Sequence, residues 1–131
     1  MTPDEVKCLS KLRLEHANEC LESSKKLFEL EDYKSSANRS YYAIFHAMRA
    51  ILAYEGFDSK RHSGIISKFL QLYIKTNKFD KKFSDIITDS FEIRADSDYD
   101  DYYTVSIKVI EKQIENAELF LNAVTDFLNN K

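Results

Sequence analysis

Three side chains that could handle a phosphodiester are spaced along one predicted helix. Arg39, Tyr42 and His46 share a face with Arg49. An arginine can hold a non-bridging phosphate oxygen and offset the charge of a transition state. A histidine titrates near neutrality and can move the proton of an RNA 2′-hydroxyl. The opposite face of the helix is an apolar stripe that predicts core packing: Ala37, Tyr41, Ile44, Phe45, Met48, Ile51 and Leu52.

The spacing of Arg39 and His46 limits how they could act together. They are two helical turns apart, or about 10 Å along the axis. This distance is long for one catalytic pair, so a symmetric dimer could bring in the second group from its other copy. The alternative is a plain solvated face near the middle of a helix.

Arg94 is a second candidate, because it lies near the end of a predicted helix among acidic residues. Tyr99 follows five residues later, and Asp96 and Asp98 lie between them. Arg94 could bind phosphate, or it could pair with Asp96 or Asp98 and steady the turn.

The acidic string Asp96–Asp100 imitates the start of a calcium loop but fails its later positions. Asp101 stands where that loop needs glycine, and Ile107 where it needs a bidentate glutamate. The sequence also contains no phosphate-cradling glycine loop, zinc-ligand pair or nucleophile elbow. We therefore predict no metal and no cofactor.

Composition favours one soluble helical domain over residues 1–131. Two glycines and one proline are too few for the turns of a sandwich or barrel, and 44% of the residues are hydrophobic. No apolar run approaches the roughly 18–20 residues that span a bilayer, so we expect a cytoplasmic protein without membrane contact. The net charge of −3 argues against a general DNA-binding protein. Cys8 and Cys20 are too few for a disulfide framework and are expected to be reduced.

Hydrophobic periodicity and capping residues divide the chain into five helices. Thr2 to Glu5 forms a capping box with proline at the first helical position. The fifth helix has the most regular pattern, which predicts packing along helix one or two in an antiparallel bundle. The predicted segments are helix one to about Leu30; helix two from an Asp32 cap to Gly56; a loop over 57–64; helix three from Ile66 to Asn77; helix four around Phe83–Phe91, failing at Arg94–Asp98; and helix five from an Asp100 or Asp101 cap through Tyr103 to Leu128.

Three short strings, in this order and at these spacings, give the chain a recognisable likeness. They are Asn38–His46, Lys60–Gly64 and Arg94–Tyr99. Together they resemble the HEPN superfamily, and specifically its small stand-alone prokaryotic branch, often encoded beside a minimal nucleotidyltransferase. The likeness covers essentially the whole chain. It implies an up-and-down bundle of four long helices and a short one, usually dimeric.

The resemblance also implies a function. Many relatives are metal-independent ribonucleases that act as toxins in toxin–antitoxin or phage-defence pairs. Their signature is a late arginine followed after four to six residues by histidine, and two copies form one composite site. In this chain Arg94 has the late position, but Tyr99 stands five residues further on. The only literal arginine-x6-histidine match is Arg39 to His46, in helix two.

Two functions therefore stand as expectations. The first is a component of a toxin–antitoxin or defence module, in which the chain would be a metal-independent ribonuclease whose site forms across a homodimer. The second is a non-catalytic nucleotide-binding or docking subunit for a partner nucleotidyltransferase. In such pairs a tyrosine near the motif can be adenylylated, and here Tyr99, Tyr102 and Tyr103 lie in that region. The candidate catalytic residues are Arg94, Tyr99, Asp96, Arg39 and His46, and the candidate RNA- or nucleotide-binding residues are Asn38, Tyr42, Arg61 and His62.

The aromatic content also predicts assembly. Eight tyrosines and nine phenylalanines in 131 residues are many to hide in one small monomer. Aromatic residues and arginine are favoured at the centres of interfaces. We therefore expect a two-fold dimer with helix two or the segment from Arg94 to Tyr103 near the axis.

Overall fold

The computed structural model describes residues 1–99 and 106–131. Over these residues the chain is helical and contains no strand, which confirms the predicted all-α bundle. A 3₁₀ turn, Ala53–Glu55, follows the second helix, and a π-helical turn, Leu70–Ile74, follows the third. The α-helices are α1 (Pro3–Glu29), α2 (Tyr33–Leu52), α3 (His62–Phe69), α4 (Lys82–Tyr99) and α5 (Ile107–Asn129).

The start of α1 is fixed by the predicted capping box. The Thr2 hydroxyl oxygen accepts a hydrogen bond from the Glu5 backbone N–H at 3.1 Å, and the Thr2 N–H donates to the Glu5 carboxylate at 3.4 Å. Pro3 occupies the first turn, where a missing N–H costs nothing. These contacts determine the residue at which α1 begins.

Helix α2 is the central helix of the bundle. It packs against α1, α4 and α5, and α5 also contacts α1, as predicted. Small side chains let the helices approach closely. The buried Ser24 and Ser36 hydroxyls each donate to the other residue's carbonyl oxygen, at 2.7 and 2.8 Å, and Ser10 donates to the carbonyl of Ala50 at 2.7 Å. These bonds lock α1 against α2.

An aromatic cluster fills the core between α3, α4 and α5. Phe69 and Tyr73 stack with centroids 5.3 Å apart, and Phe120 meets Phe69 edge-on at 5.6 Å. Phe79 and Phe83 complete this cluster. Several of the nine phenylalanines are therefore buried in the core of a single chain. Because the dimer was predicted from the number of aromatic residues, that number alone is weak support for a dimer.

The prediction that the fourth helix fails at Arg94–Asp98 was wrong, because α4 continues to Tyr99. Serine and aspartate can compete with helical hydrogen bonds, but here side-chain contacts within α4 and with α2 outweigh that tendency. Arg94 and Asp98 form an ion pair at the helical i,i+4 spacing, and Ser97 is buried. The helix therefore carries Arg94 on a rigid segment rather than in a turn.

Other boundaries also moved. Helix α2 ends at Leu52, and the chain reaches Gly56 through the 3₁₀ turn; Gly56 has φ 63°, as expected of a C-terminal glycine. Helix α3 begins earlier than predicted, at His62. Helix α5 begins at Ile107, with Ser106 before it, and the expected caps Asp100 and Asp101, with Tyr102 and Tyr103, lie outside the described residues. No helix in the described ranges has the length and apolarity needed to cross a membrane.

Candidate functional site

The Tyr42 ring is the meeting point of two guanidinium groups from different helices. Arg39, one turn before it on α2, lies 4.9 Å from the ring centroid. Arg94 reaches the same ring from α4 at 5.6 Å and donates a hydrogen bond to the Tyr42 hydroxyl at 3.3 Å. Cation–π contact holds both charges against a half-buried surface. The fold thus brings together candidates that lie more than fifty positions apart in the sequence.

A polar chain connects the two arginines. The Arg39 guanidinium donates to the side-chain oxygen of Asn38 at 2.7 and 3.1 Å. The Asn38 amide donates to Asp98 at 3.2 Å, and the Arg94 Nε lies 2.9 Å from the same Asp98 oxygen. Asn38 therefore connects Arg39 of α2 with Asp98 of α4. In this hydrogen-bond network Arg94 pairs with the carboxylate of Asp98, whereas Arg39 donates to the neutral side-chain amide of Asn38.

An open cavity of about 570 Å³ lies between α1, α2 and α4, beside the hydrogen bonds that connect Arg39, Asn38 and Asp98. Its charged side chains are two cations, Lys34 and Arg39, and one carboxylate, Asp98. The Ser97 hydroxyl is buried and has no hydrogen-bond partner within the described residues. Cations and donors facing one cavity suit a ligand with anionic oxygens. The full lining is Leu27, Lys34, Ser35, Asn38, Arg39, Ser97 and Asp98.

Tyr41 and His62 form the second part of the site. Tyr41 is fully buried, and its hydroxyl lies 2.9 Å from Nδ1 of His62 at the start of α3. Burial raises the pKa of Tyr41, so the phenol stays protonated. Burial and then the nearby Arg94 charge lower the pKa of His62, which makes it neutral at pH 7. A neutral imidazole of this kind can accept a proton.

His46 is half-buried and lies in a positive environment. Its ring stacks on His16 of α1 with centroids 4.1 Å apart, and it stacks on Tyr42 at 5.9 Å. Burial, followed by the charges of His16, Arg49 and Arg39, lowers the pKa of His46 to about 4. The interpretation of this helix face as plain solvated surface was therefore wrong, because α1 and α4 cover part of it.

The remaining sequence candidates are less close to this centre. Asp96 is exposed on α4, and Arg61 is exposed just before α3. Tyr99 is the last residue of α4, and its side chain lies outside the described part of the chain. The ion pair of Arg94 with Asp98 is one of the two alternatives left open by the sequence.

Three residues that contact the candidate site residues were not predicted from the sequence. Tyr41 was assigned only to the apolar stripe, although its hydroxyl meets His62. His16 and Cys20 were not connected with His46, because they lie on another helix. Their i,i+4 spacing was the available signal, but the sequence does not show which face of α1 meets α2.

Comparison with known proteins agrees with this architecture. The family model of the HEPN domain matches residues 10–127, and the chain belongs to this family. It is 31% identical over 118 residues to "Putative toxin MJ0142" of Methanocaldococcus jannaschii, covering 90% of this chain and 80% of that protein. It is 32% identical over 114 residues to a UPF0332 protein of Thermotoga maritima, covering 87% and 86% of the two chains. A UPF0332 protein of Archaeoglobus fulgidus is 32% identical over 118 residues, covering 90% of this chain and 94% of its own.

Proposed function

We propose that this chain is the HEPN component of a toxin–antitoxin or defence module and that it acts on RNA. The convergence of Arg39 and Arg94 on Tyr42 carries the proposal. Two relatives in Methanocaldococcus jannaschii are named putative toxins, which supports a toxin-type role. The chain's acidic net charge restricts RNA contact to a local site such as this one.

Binding would begin with a phosphate of the RNA backbone. Arg39 and Lys34 supply positive charge at the cavity. The terminal nitrogens of the Arg94 guanidinium can turn toward a phosphate while its Nε stays paired with Asp98.

Cleavage without a metal would require proton transfer near that phosphate. His62 is better suited than His46 to accept the 2′-hydroxyl proton, because His46 has a pKa of about 4 and is therefore a weak base. Arg94 would stabilise the charge that develops on the phosphorus oxygens. The proton for the leaving oxygen would come from a group of the second copy in a homodimer. This arrangement requires both copies for full activity.

A second candidate function, that of a non-catalytic subunit, is supported by a different observation. Arg94 is tied to Asp98, and Tyr99 stands where the late motif of active relatives has histidine. A site that binds phosphate but lacks this histidine suits a non-catalytic subunit that binds a nucleotide and docks onto a partner nucleotidyltransferase. Tyr99, Tyr102 and Tyr103 would then be the candidates for adenylylation by that partner.

One assay separates the two functions. Purified chain is incubated with RNA in EDTA, together with Arg94→Ala, His62→Ala and the control Lys112→Ala, an exposed lysine on α5. A ribonuclease degrades the RNA and loses this activity in the first two variants only. A docking subunit leaves the RNA intact, co-purifies with a nucleotidyltransferase and gains adenylate on a tyrosine in its presence. RNA that stays intact without such a partner would refute both.

A further inference from the structure

Three potential metal ligands from two helices meet on the side of α2 that faces α1. His16 and Cys20 are separated by one turn of α1, so they project from the same face. His46 approaches from α2, and one donor atom from each residue lies within 4.8 Å of the others. We propose that His16, Cys20 and His46 form a binding site for a transition-metal ion of the zinc type.

The donor set matches that chemistry. Two imidazole nitrogens and one thiolate are borderline-soft ligands, which zinc prefers over the oxygen ligands that suit magnesium or calcium. Three protein ligands leave a fourth tetrahedral position open. His16 is exposed, His46 is half-buried and Cys20 is buried, so the three ligands lie between the protein surface and the helix packing. Such an arrangement can bind an exchangeable water or a further ligand.

Metal binding requires a small rearrangement. Zinc lies about 2.0–2.1 Å from histidine nitrogen and about 2.3 Å from cysteine sulfur, so the three donors must draw closer together. The His16 and His46 rings now stack at 4.1 Å with an angle of 21° between their planes. His16 can leave this stack by side-chain rotation, because it is exposed. Cys20 and His46 are held by the helix packing and provide the fixed half of the site.

Two neighbouring arginines affect the site in different ways. Burial raises the pKa of the Cys20 thiol, and the Arg39 Nη1, 4.0 Å from the sulfur, partly offsets this because its charge favours the thiolate. The Arg49 Nη1 lies 3.4 Å from Nδ1 of His46, and that nitrogen must shed this contact if it is the ligand. When the ion binds, the Cys20 S–H bond breaks, the proton passes to solvent and the sulfur–metal bond forms. The positive surroundings make the site weaker than a closed four-ligand zinc site.

The test is a titration of the reduced full-length chain with Co²⁺, followed by displacement with Zn²⁺. We expect a thiolate-to-cobalt charge-transfer band that saturates at one ion per chain and disappears when zinc is added. Cys20→Ala and His16→Ala should each lower the affinity for Zn²⁺ by at least about tenfold. The matched control is Cys8→Ala, which removes an exposed cysteine from the same helix and should bind as wild type does.

The variants keep the proposal falsifiable. His16 is exposed, so His16→Ala should fold normally even if the buried Cys20→Ala does not, and circular dichroism checks both. Unchanged affinity in His16→Ala, loss of the band in Cys8→Ala, or the absence of a thiolate band would each overturn the site. The measurement contains no RNA, so its result is independent of the proposed function.

Discussion

Arg94 of α4 donates a hydrogen bond to the Tyr42 hydroxyl of α2 across 3.3 Å. This bond joins the late arginine of the sequence to the helix face that carries Arg39 and His46. Two candidate sites that the sequence presents separately are therefore one site in the folded chain.

Removing the Tyr42 hydroxyl while keeping its ring should weaken the connection between α2 and α4. Tyr42→Phe removes the acceptor for Arg94 but retains the cation–π contacts. We expect a loss of about 0.5–1.5 kcal/mol in the free energy of unfolding, measured by urea denaturation. Tyr54→Phe, a half-buried tyrosine outside the site, is the control. Equal stability of Tyr42→Phe and wild type would show that the bond contributes nothing.

The Asp58 carboxylate should make stability depend on acidity. It accepts hydrogen bonds from Arg49 at 3.0 and 3.3 Å and forms a further ion pair with Arg13. Hydrogen bonding to Arg49 lowers the pKa of Asp58 below its ordinary 3.8. A lowered folded-state pKa stabilises the protein above the unfolded-state pKa, and that contribution is lost as pH falls through the folded-state value.

The variant Asp58→Asn tests this dependence. It should lower stability at pH 7 by about 1 kcal/mol or less, because the pair is partly exposed. The difference from wild type should shrink once the pH falls below 3.8, the ordinary value for this residue. Thermal melts at several pH values measure it. A difference that stays constant across the acid range would rule out the ion pair as its cause.

The aromatic cluster should dominate the stability of the bundle. Phe120 is fully buried against Phe69 and Phe83, whereas the adjacent Leu119 is 43% exposed. Phe120→Ala should cost about 3–5 kcal/mol of unfolding free energy, since it removes a large side chain from a packed core. Leu119→Ala should change stability by less than about 1 kcal/mol. Comparable losses in both variants would mean that α5 does not bury the face seen in this structure.

Assembly can be tested without reference to activity. The composite site proposed above requires two copies, so light scattering at micromolar concentration should give about twice the 15.3 kDa of one chain. A mass of one chain would remove the second copy from the proposed mechanism. Cleavage of RNA by such a monomer would then have to use His62 and Arg94 of a single chain.

The sequence predicts the fold well because the helices obey local rules. The Thr2–Glu5 capping box, the apolar stripe of α2 and the regular spacing of α5 each specify an element on their own. The end of α4 is different, because local propensity predicts a break while Arg94 and Asp98 pair along the helix. The i,i+4 spacing of this pair is visible in the sequence, but the hydrogen bonds of Arg94 to Tyr42 and of Asp98 to Asn38, which tie the same segment to α2, are not.

The site is only partly predictable for a similar reason. Arg39, Tyr42 and His46 are visible because one helix carries them at regular spacing. Their partners His16 and Arg94 come from other helices, and the sequence does not encode which faces meet. The lowered pKa of His46 depends on that burial, so spacing alone overstated its value as a catalytic base. Tyr41 illustrates the opposite error, since its apolar position hid a hydroxyl that contacts His62.

The most direct test of the account is the affinity of the chain for RNA when Arg39 is removed. Fluorescence anisotropy with a labelled single-stranded RNA compares wild type, Arg39→Ala and the control Lys112→Ala at several salt concentrations. We predict that Arg39→Ala weakens binding and lowers the slope of log affinity against log salt by about 1, as expected for one lost phosphate contact, while Lys112→Ala matches wild type. Equal affinity and equal salt dependence in all three proteins would contradict the proposal that RNA binds at the Arg39–Tyr42–Arg94 site.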